Sequence, residues 1–332
     1  MRFSIIVPVY NAGEYFKKCL DVVMEQSFPD WELLVVDDGS TDDSGTLADT
    51  YAARDPRVRV LHTFRAGQLH ARQTGLAAAR GEYVLFLDSD DMWISDPLAR
   101  LDRVIREQAP DIVMFRGVLF GDKTREGRVI GTYADTAQWV DKAELYRRLI
   151  ASHAFNSLWL KAFRRELFCG DTTDYTRWEG SRVGEDKLQL LYPITQADRV
   201  YYIPDILYRY RVHPQSAVHQ LTLDRVPVLM ANEMFDALYA YMRLWGLTDP
   251  ASLETVAVYY LRHLFSVYYG VRRHCHGHAA SAAFSRYPWG LVVDRRVARY
   301  GRSRRLTPKE KLKFACVFRH VRRCGGGTDG SR

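Results

Sequence analysis

An α/β protein built on a mixed, mainly parallel sheet flanked by helices, with a helical and basic C-terminal extension, is the fold this sequence predicts. Two observations carry that reading. From Phe3 to Phe115, short apolar strand-like runs alternate with helical stretches, the rhythm of right-handed strand–helix–strand crossovers. Aspartates also gather directly after two of those runs. Asp37-Asp38-Gly39-Ser40 follows Glu32-Leu33-Leu34-Val35-Val36, and Asp88-Ser89-Asp90-Asp91 follows Tyr83-Val84-Leu85-Phe86-Leu87. Open α/β sheets bind ligands at the carboxyl ends of their strands, and carboxylates crowd together only with a cation or a proton between them.

Phe3–Val7 reads as the first strand, ended by Pro8 and the turn-forming Asn11-Ala12-Gly13. Phe16, Leu20, Val23 and Met24 follow at helical spacing between Glu14 and Gln26. Leu33–Val36 is the second strand, and Ser40, Thr41, Asp42 and Asp43 offer N-cap chemistry for a helix reaching Arg54. Val58–Leu61 is a third strand, the alanine-rich stretch from Gly67 to Arg80 a helix, and Tyr83–Leu87 a fourth strand. A helix from Pro97 to Gln108 then leads to a fifth strand at Asp111–Phe115. Arg116 to Tyr133 contains four glycines and is expected to form a hairpin or an irregular insertion. Helices are expected over Lys142–Ala151 and Gly184–Ile194, and two short strands, Arg199–Ile203 and Ile206–Val212, around Pro204-Asp205. Beyond Thr222 the pattern is helical, over Thr222–Leu244, Leu253–Arg273 and Leu306–Arg323, with a disordered tail from Gly325. The expected division is residues 1–218 for the α/β domain and 219–332 for the helical region.

At 332 residues, 47% hydrophobic and 26% charged, the chain can bury a large core. Its five cysteines, Cys19, Cys169, Cys275, Cys316 and Cys324, show neither a Cys-x-x-Cys pair nor a zinc spacing, which argues for a reducing compartment. The first apolar run is too short for a signal peptide. The most apolar helical segment, Val256 to Val271, is interrupted by Arg262 and His263, short of the ~18–20 apolar residues a membrane span needs. A cytoplasmic protein is expected. The net charge of +7 is uneven, since Ala251 to Arg332 holds 17 Lys/Arg against 4 Asp/Glu. A basic tail on an acidic body fits an anionic membrane surface, nucleic acid, or simply a solvated surface. Arg295, Arg296, Arg299, Arg302, Arg304 and Arg305 beside Trp289 and Tyr300 favour the membrane, placing the protein on the inner face of the cell membrane.

Each acidic cluster has a functional and a structural reading. Asp88 and Asp90 lie two residues apart in a loop and can reach Mg²⁺ or Mn²⁺ directly or through water, which would neutralise a diphosphate leaving group. Alternatively the cluster caps the helix entered through Pro97, a task for Asp91 or Asp96. One aspartate of Asp37-Asp38 can accept a nucleobase N–H while Gly39 lets backbone approach closely, or the segment is only a turn and N-cap. Glu185-Asp186, after Val183-Gly184, is either a catalytic pair or favourable acid at a helix N-terminus.

Four segments in order resemble the signatures of family 2 glycosyltransferases, nucleotide-sugar-dependent enzymes of the GT-A fold. They are Ser4-Ile5-Ile6-Val7-Pro8-Val9-Tyr10-Asn11, Val36-Asp37-Asp38-Gly39-Ser40-Thr41-Asp42, Gly67 to Gly75, and Leu87-Asp88-Ser89-Asp90-Asp91. The resemblance covers roughly residues 2–218. It implies that Pro8, Tyr10 and Asn11 line the base and ribose pocket, that Asp38 reads the base, and that Arg72 lies near the nucleotide. Asp88 is then expected near the ribose or the metal, with Asp90 as a metal ligand. Where the family often has Ala-Arg-Asn, this chain reads Ala71-Arg72-Gln73, which changes the hydrogen bonding expected near Arg72. Gly184-Glu185-Asp186 resembles the family's acidic motif, implying Asp186 as general base with Glu185 orienting the acceptor. Such a base, opposite the departing diphosphate, suits a single inverting displacement. Tyr208 to Ser216 resembles the closing segment, implying that Arg211 and His213 contact the diphosphate or cap the metal site. Asn156, Trp159 and Lys161 fall where the family frames its acceptor cleft, and Trp159 either stacks on a sugar or packs in the core.

The expected activity is therefore metal-dependent, inverting sugar transfer from a nucleotide sugar, a UDP-sugar, to a saccharide or lipid-linked acceptor of a bacterial surface glycan such as lipopolysaccharide, capsule or exopolysaccharide. Two alternatives are weaker. A sugar-nucleotidyltransferase would carry a Gly-rich basic loop, which Tyr10-Asn11-Ala12-Gly13-Glu14 does not offer. A nucleic-acid-binding protein would need no carboxylates, leaving all three acidic clusters without a task, so no nucleic acid is expected.

Overall fold

Strand β1 (Phe3–Val9) is buried along its full length and lies parallel between β2 (Trp31–Asp37) and β4 (Tyr83–Phe86). β2 pairs in parallel with β3 (Val58–His62). Burial on both faces is why β1 and β2 read as nearly continuous apolar runs instead of alternating ones. In this computed structural model, residues 1–94, 96–121, 126–175, 184–213, 223, 232–275, 278–287, 289 and 295–324 are described. The chain divides into two units, Met1–Leu145 with Ala154–Pro214, and Tyr146–His153 with Gln215–Arg332.

In the first unit, helices α1 (Glu14–Met24), α2 (Ser44–Arg54), α3 (Gln68–Ala78) and α4 (Pro97–Gln108) alternate with the strands as expected. Pro8 stands opposite Val36 of β2, past Ile6, where the pairing of β1 with β4 ends. Its missing N–H therefore removes no bond to β4. Past β4 the order runs through β9 (Lys161–Arg164), β6 (Ile112–Phe120), β10 (Val200–Arg211) and β5 (Met92–Trp93). β9 is antiparallel to both its neighbours, whereas β10 runs parallel to β6. β5 directly follows the Asp88–Asp91 turn and pairs antiparallel with Tyr208 and Arg209 of β10. β8 (Gln138–Trp139) pairs antiparallel with Tyr201 and Tyr202 of β10 and leads into helix α5 (Lys142–Ala151), and helix α6 (Glu185–Gln196) precedes β10.

Two expectations change. The two strands expected around Pro204-Asp205 are one strand, β10, whose register against β6 shifts between Tyr202 and Ile206. An irregularity absorbs a proline without ending the strand. The fifth strand runs on to Phe120, and the glycine-rich stretch folds back as β7 (Val129–Ile130), antiparallel to Gly117 and Val118.

The second unit contains helices Asn232–Leu244, Pro250–His274, His278–Arg286 and Pro308–Cys324. Asp249 starts the long helix by accepting the Ala251 and Ser252 N–H groups at 2.9 and 3.0 Å, with Pro250 in the first turn. Among the described residues, no helix is long and apolar enough to cross a membrane, and Cys19, Cys169, Cys275 and Cys316 are free thiols. Val183, Pro214, Gln215, Ser216, the beginning of the helix expected from Thr222, and the tail from Gly325 lie outside the described residues.

At the amino end of the sheet, the buried Ser4 hydroxyl donates to Glu32 at 2.6 Å and accepts the Gly81 N–H at 2.8 Å. A Cβ on Gly81 would lie 2.5 Å from the Ser4 nitrogen and 2.6 Å from the Phe3 carbonyl carbon, backbone atoms of the central strand that cannot yield alone. Gly81→Ala is expected to lower the unfolding free energy by about 1–3 kcal/mol in urea titration. An unchanged midpoint and slope would mean that β1 yields without cost.

Candidate active site

Three loops at the carboxyl ends of β1, β2 and β3 are knitted together by their own polar side chains. Asn11, left-handed at φ 49°, accepts the Thr41 N–H on Oδ1 at 2.7 Å and donates from Nδ2 to the Thr41 hydroxyl at 3.1 Å. The Asp38 carboxylate is buried and accepts the backbone N–H groups of Ala66 and Gly67, one on each oxygen, both at 2.8 Å. Gly39, at φ +73°, lets this crossing happen, because a Cβ there would sit 3.2 Å from the Arg65 nitrogen. The Arg65 guanidinium in turn lies 4.3 Å from the centroid of the Tyr10 ring. Tyr10, Asn11 and Asp38 are thus brought together, with Asp38 anchoring a loop and Pro8 buried inside β1.

The second cluster centres on Arg72, one turn into α3 and only 1% exposed. Its guanidinium contacts Asp186 at 2.6 Å through one terminal nitrogen and Asp88 at 3.0 Å through the other. Gln68, one turn earlier on α3, donates to the same Asp88 oxygen at 2.8 Å. Gln189, one turn past Asp186 on α6, contacts Arg72 at 3.4 Å and donates to the Leu69 carbonyl at 3.2 Å. Two helices from distant parts of the chain therefore meet across one cation.

Asp90 points elsewhere: its Oδ2 accepts from His213 Nε2 at 2.9 Å. His213 packs 5.3 Å from the Tyr15 ring, and the Arg211 guanidinium lies 4.3 Å over that same ring. Arg211 also donates from Nε to the Asp90 carbonyl at 2.7 Å. Of the two aspartates expected to cap α4, Asp91 does something different. Fully buried, it accepts the Tyr208 hydroxyl at 2.7 Å and the Arg211 N–H at 2.6 Å. Asp96 holds the N-cap position of α4 without a side-chain cap bond, and its carboxylate accepts the Ser27 hydroxyl. The one hydroxyl hydrogen of Tyr208 goes to Asp91, and the same oxygen accepts the Asp88 N–H at 3.2 Å. The acidic turn is thereby pinned to β10 from both sides.

Of the residues expected at an acceptor cleft, Trp159 is core: it stacks between Tyr208 and Tyr210 at centroid distances of 4.6 and 5.2 Å. Asn156 is buried, and the buried Lys161 ammonium donates to the Phe155 and Ser157 carbonyls at 2.8 and 2.6 Å. Four candidates received no individual role in the sequence reading: Gln68 and Tyr208, inside the segments it singled out, and Gln189 and Arg65, outside them. Gln68 and Gln189 each lie within one turn of a motif residue on the same helix, a spacing that places side chains on one face.

Electrostatics follow the burial. Burial opposes the Arg72 charge, but Asp186, Asp88 and Glu185 outweigh it and hold the guanidinium above its ordinary pKa. Burial, with Asp186 and Asp90 adding to it against the pull of Arg72, pushes Asp88 up to about 6. Burial and then the Asp186 charge push Glu185 up to about 7. Burial alone draws Lys187 down to about 7, and it draws Lys161 to about 7 against the Asp186 charge. Such crowding of acids is relieved by a cation.

Among the described residues, no three His, Cys, Asp or Glu side chains are grouped to hold a metal ion. Mg²⁺-type ions need six ligands but commonly take one or two carboxylates and complete their shell with substrate phosphates and water. Asp90 and His213, adjacent at 2.9 Å and both partly open to solvent at 35% and 14%, fit that partial role. Asp88 has one oxygen already shared by Gln68 and Arg72, and so would have less freedom to bind such an ion.

Glu185 generates a pH prediction. Its folded pKa, about 7, lies above the ordinary glutamate value of about 4.3. Between those values the folded chain binds more protons than the unfolded one, so this group makes stability fall as pH rises from about 4 to 7. Urea unfolding at pH 5 and pH 8 is expected to show a smaller fall for Glu185→Gln than for the wild type. Equal falls would show that Glu185 ionises as freely in the folded chain as in the unfolded one.

Known proteins are similar to this chain in sequence and in fold. Residues 4–169 match Glycosyl transferase family 2. The "Uncharacterized glycosyltransferase EpsJ" of Bacillus subtilis is 32% identical over 269 residues, 78% of this chain and 75% of that protein. The poly(ribitol-phosphate) beta-glucosyltransferase of Bacillus spizizenii is 37% identical over 118 residues, 34% of this chain and 19% of that protein. Among solved structures, S. aureus TarS 1–349 in complex with UDP-GlcNAc superposes with a TM-score of 0.64 at 21% identity, over 98% of this chain and 91% of that one, a likeness of fold. The GT-A architecture expected from the sequence is present, and this chain belongs to glycosyltransferase family 2.

Proposed function

We propose that this protein transfers a sugar, with inversion, from a nucleotide-sugar donor to a hydroxyl of a saccharide or lipid-linked saccharide in bacterial surface-glycan synthesis. The observation that carries the reading is the meeting of Asp88 and Asp186, from opposite halves of the domain, on the Arg72 guanidinium. A UDP-sugar is the proposed donor, supported by the fold shared with TarS, which was solved with UDP-GlcNAc. The surface-glycan role is supported by the likeness to a poly(ribitol-phosphate) beta-glucosyltransferase, whose acceptor its name identifies.

In this reading Tyr10 and Asn11 border the base and ribose, while Asp38 presents the loop backbone that faces them and keeps lone pairs for a base N–H. Asp186 accepts the proton of the acceptor hydroxyl as that hydroxyl's oxygen forms a bond to the anomeric carbon, and the bond from that carbon to the diphosphate breaks. Arg72 fixes the direction in which the Asp186 carboxylate points. Glu185, whose burial keeps it protonated up to about pH 7, can donate a hydrogen bond that orients the acceptor. Arg211 lies where charge develops on the departing diphosphate. A divalent cation, Mg²⁺ or Mn²⁺, held by Asp90 and His213 beside Asp88, would neutralise that charge. The basic helical unit is proposed to rest on the anionic inner face of the cell membrane.

Two variants test the assignment. In a thermal-shift screen of nucleotide sugars with and without divalent cations, Asp90→Ala is expected to lose the cation-dependent part of the shift. Asp186→Asn is expected to retain donor binding while transfer falls by roughly 10²–10⁴-fold. Transfer at the wild-type rate in Asp186→Asn would place the base elsewhere.

A further inference from the structure

The second unit contains a cleft of about 420 Å³ that no step of sugar transfer uses. It opens among the helices Pro250–His274, His278–Arg286 and Pro308–Cys324, and its volume is in the range of small-ligand sites. Its floor is aromatic. Tyr268 and Phe284 are 4% and 5% exposed, and both pack on the buried Trp289 at 4.8 and 5.3 Å. His320 is fixed in the wall, with Nδ1 2.5 Å from the Tyr268 hydroxyl and Nε2 3.2 Å from the Ser285 carbonyl. A carbonyl only accepts, so Nε2 carries the hydrogen and, in the neutral ring, Nδ1 accepts from the tyrosine.

The charges of this cleft are one-sided. Arg272 and Arg319 line it, and among the described residues no carboxylate does. Elsewhere in the unit, Arg262 pairs with Glu310 at 2.9 Å and Arg305 with Glu254 at 3.6 Å. Neither Arg272 nor Arg319 has a side-chain hydrogen bond or ion pair among the described residues. Ser281 and Ser285, one helical turn apart, add hydroxyl groups to the same lining. Two uncompensated guanidinium groups beside serine hydroxyls on an aromatic floor match a phosphate, whose oxygens take forked N–H donors and hydroxyls together.

We propose that this cleft binds a phosphate group, carried by an anionic lipid headgroup or by a soluble phosphate. Every residue named for it lies in the second unit.

Two probes distinguish the sources in the full-length protein: inorganic phosphate, followed calorimetrically, and phosphatidylglycerol vesicles, followed by co-sedimentation against phosphatidylcholine vesicles. Arg272→Gln with Arg319→Gln is expected to weaken binding of the effective probe about ten-fold or more. Lys309→Gln with Arg322→Gln removes the same charge from exposed positions of the last helix and is expected to change it less than about two-fold. Ser281→Trp fills the cleft at unchanged charge and is expected to act like the arginine pair, so a loss cannot be ascribed to charge alone. Binding of free phosphate identifies a soluble ligand, whereas vesicle binding without it identifies the headgroup. Absence of both in the wild type would overturn the proposal, as would equal weakening by the control pair or wild-type binding by Ser281→Trp.

Discussion

The Arg72 guanidinium is the contact on which the rest of the site depends. It is almost fully buried, and a buried cation without partners is strongly unfavourable. Asp88 and Asp186 supply those partners from the end of the fourth strand and the start of α6. The arrangement works in both directions, because the same cation makes it tolerable to hold two carboxylates close together inside the protein. Breaking one partner of such a pair leaves a buried charge exposed to the other groups, which is costlier than never having built it.

Around this contact the acids divide by task. Asp38 and Asp91 spend their oxygens on backbone N–H groups and a tyrosine hydroxyl. They hold the loops that carry Tyr10, Asn11, Asp88 and Asp90. Asp90 and Asp186 retain more solvent contact, at 35% and 23%, which leaves them open to a ligand. Adjacent aspartates in one short turn thus differ in how far they are tied down, which lets a loop with several carboxylates keep one shape.

Much of this was legible in the sequence. The apolar runs located β1 to β4 because strands covered on both faces leave little choice of residue, and the Asp-x-Asp turn followed from its position after Leu87. Long-range pairing was not legible. Whether Asp91 caps a helix or receives Tyr208 depends on β5 joining β10, a contact between residues more than a hundred positions apart. Trp159 illustrates the same limit: its composition suits a sugar platform, and only the neighbouring Tyr208 and Tyr210 make it core. The proline at 204 predicted a break, while the sheet kept β10 whole by shifting register.

A double-mutant cycle on unfolding free energy between Arg72→Met and Asp186→Asn tests the central contact most directly. Groups that share a buried network couple by about 0.5–3 kcal/mol, whereas independent sites add to within about 0.3–0.5 kcal/mol. The account predicts a coupling of about 1 kcal/mol or more, with the second substitution costing much less once the first is present. Simple additivity would mean that Arg72 and Asp186 stand side by side without depending on one another, and the account would fail there.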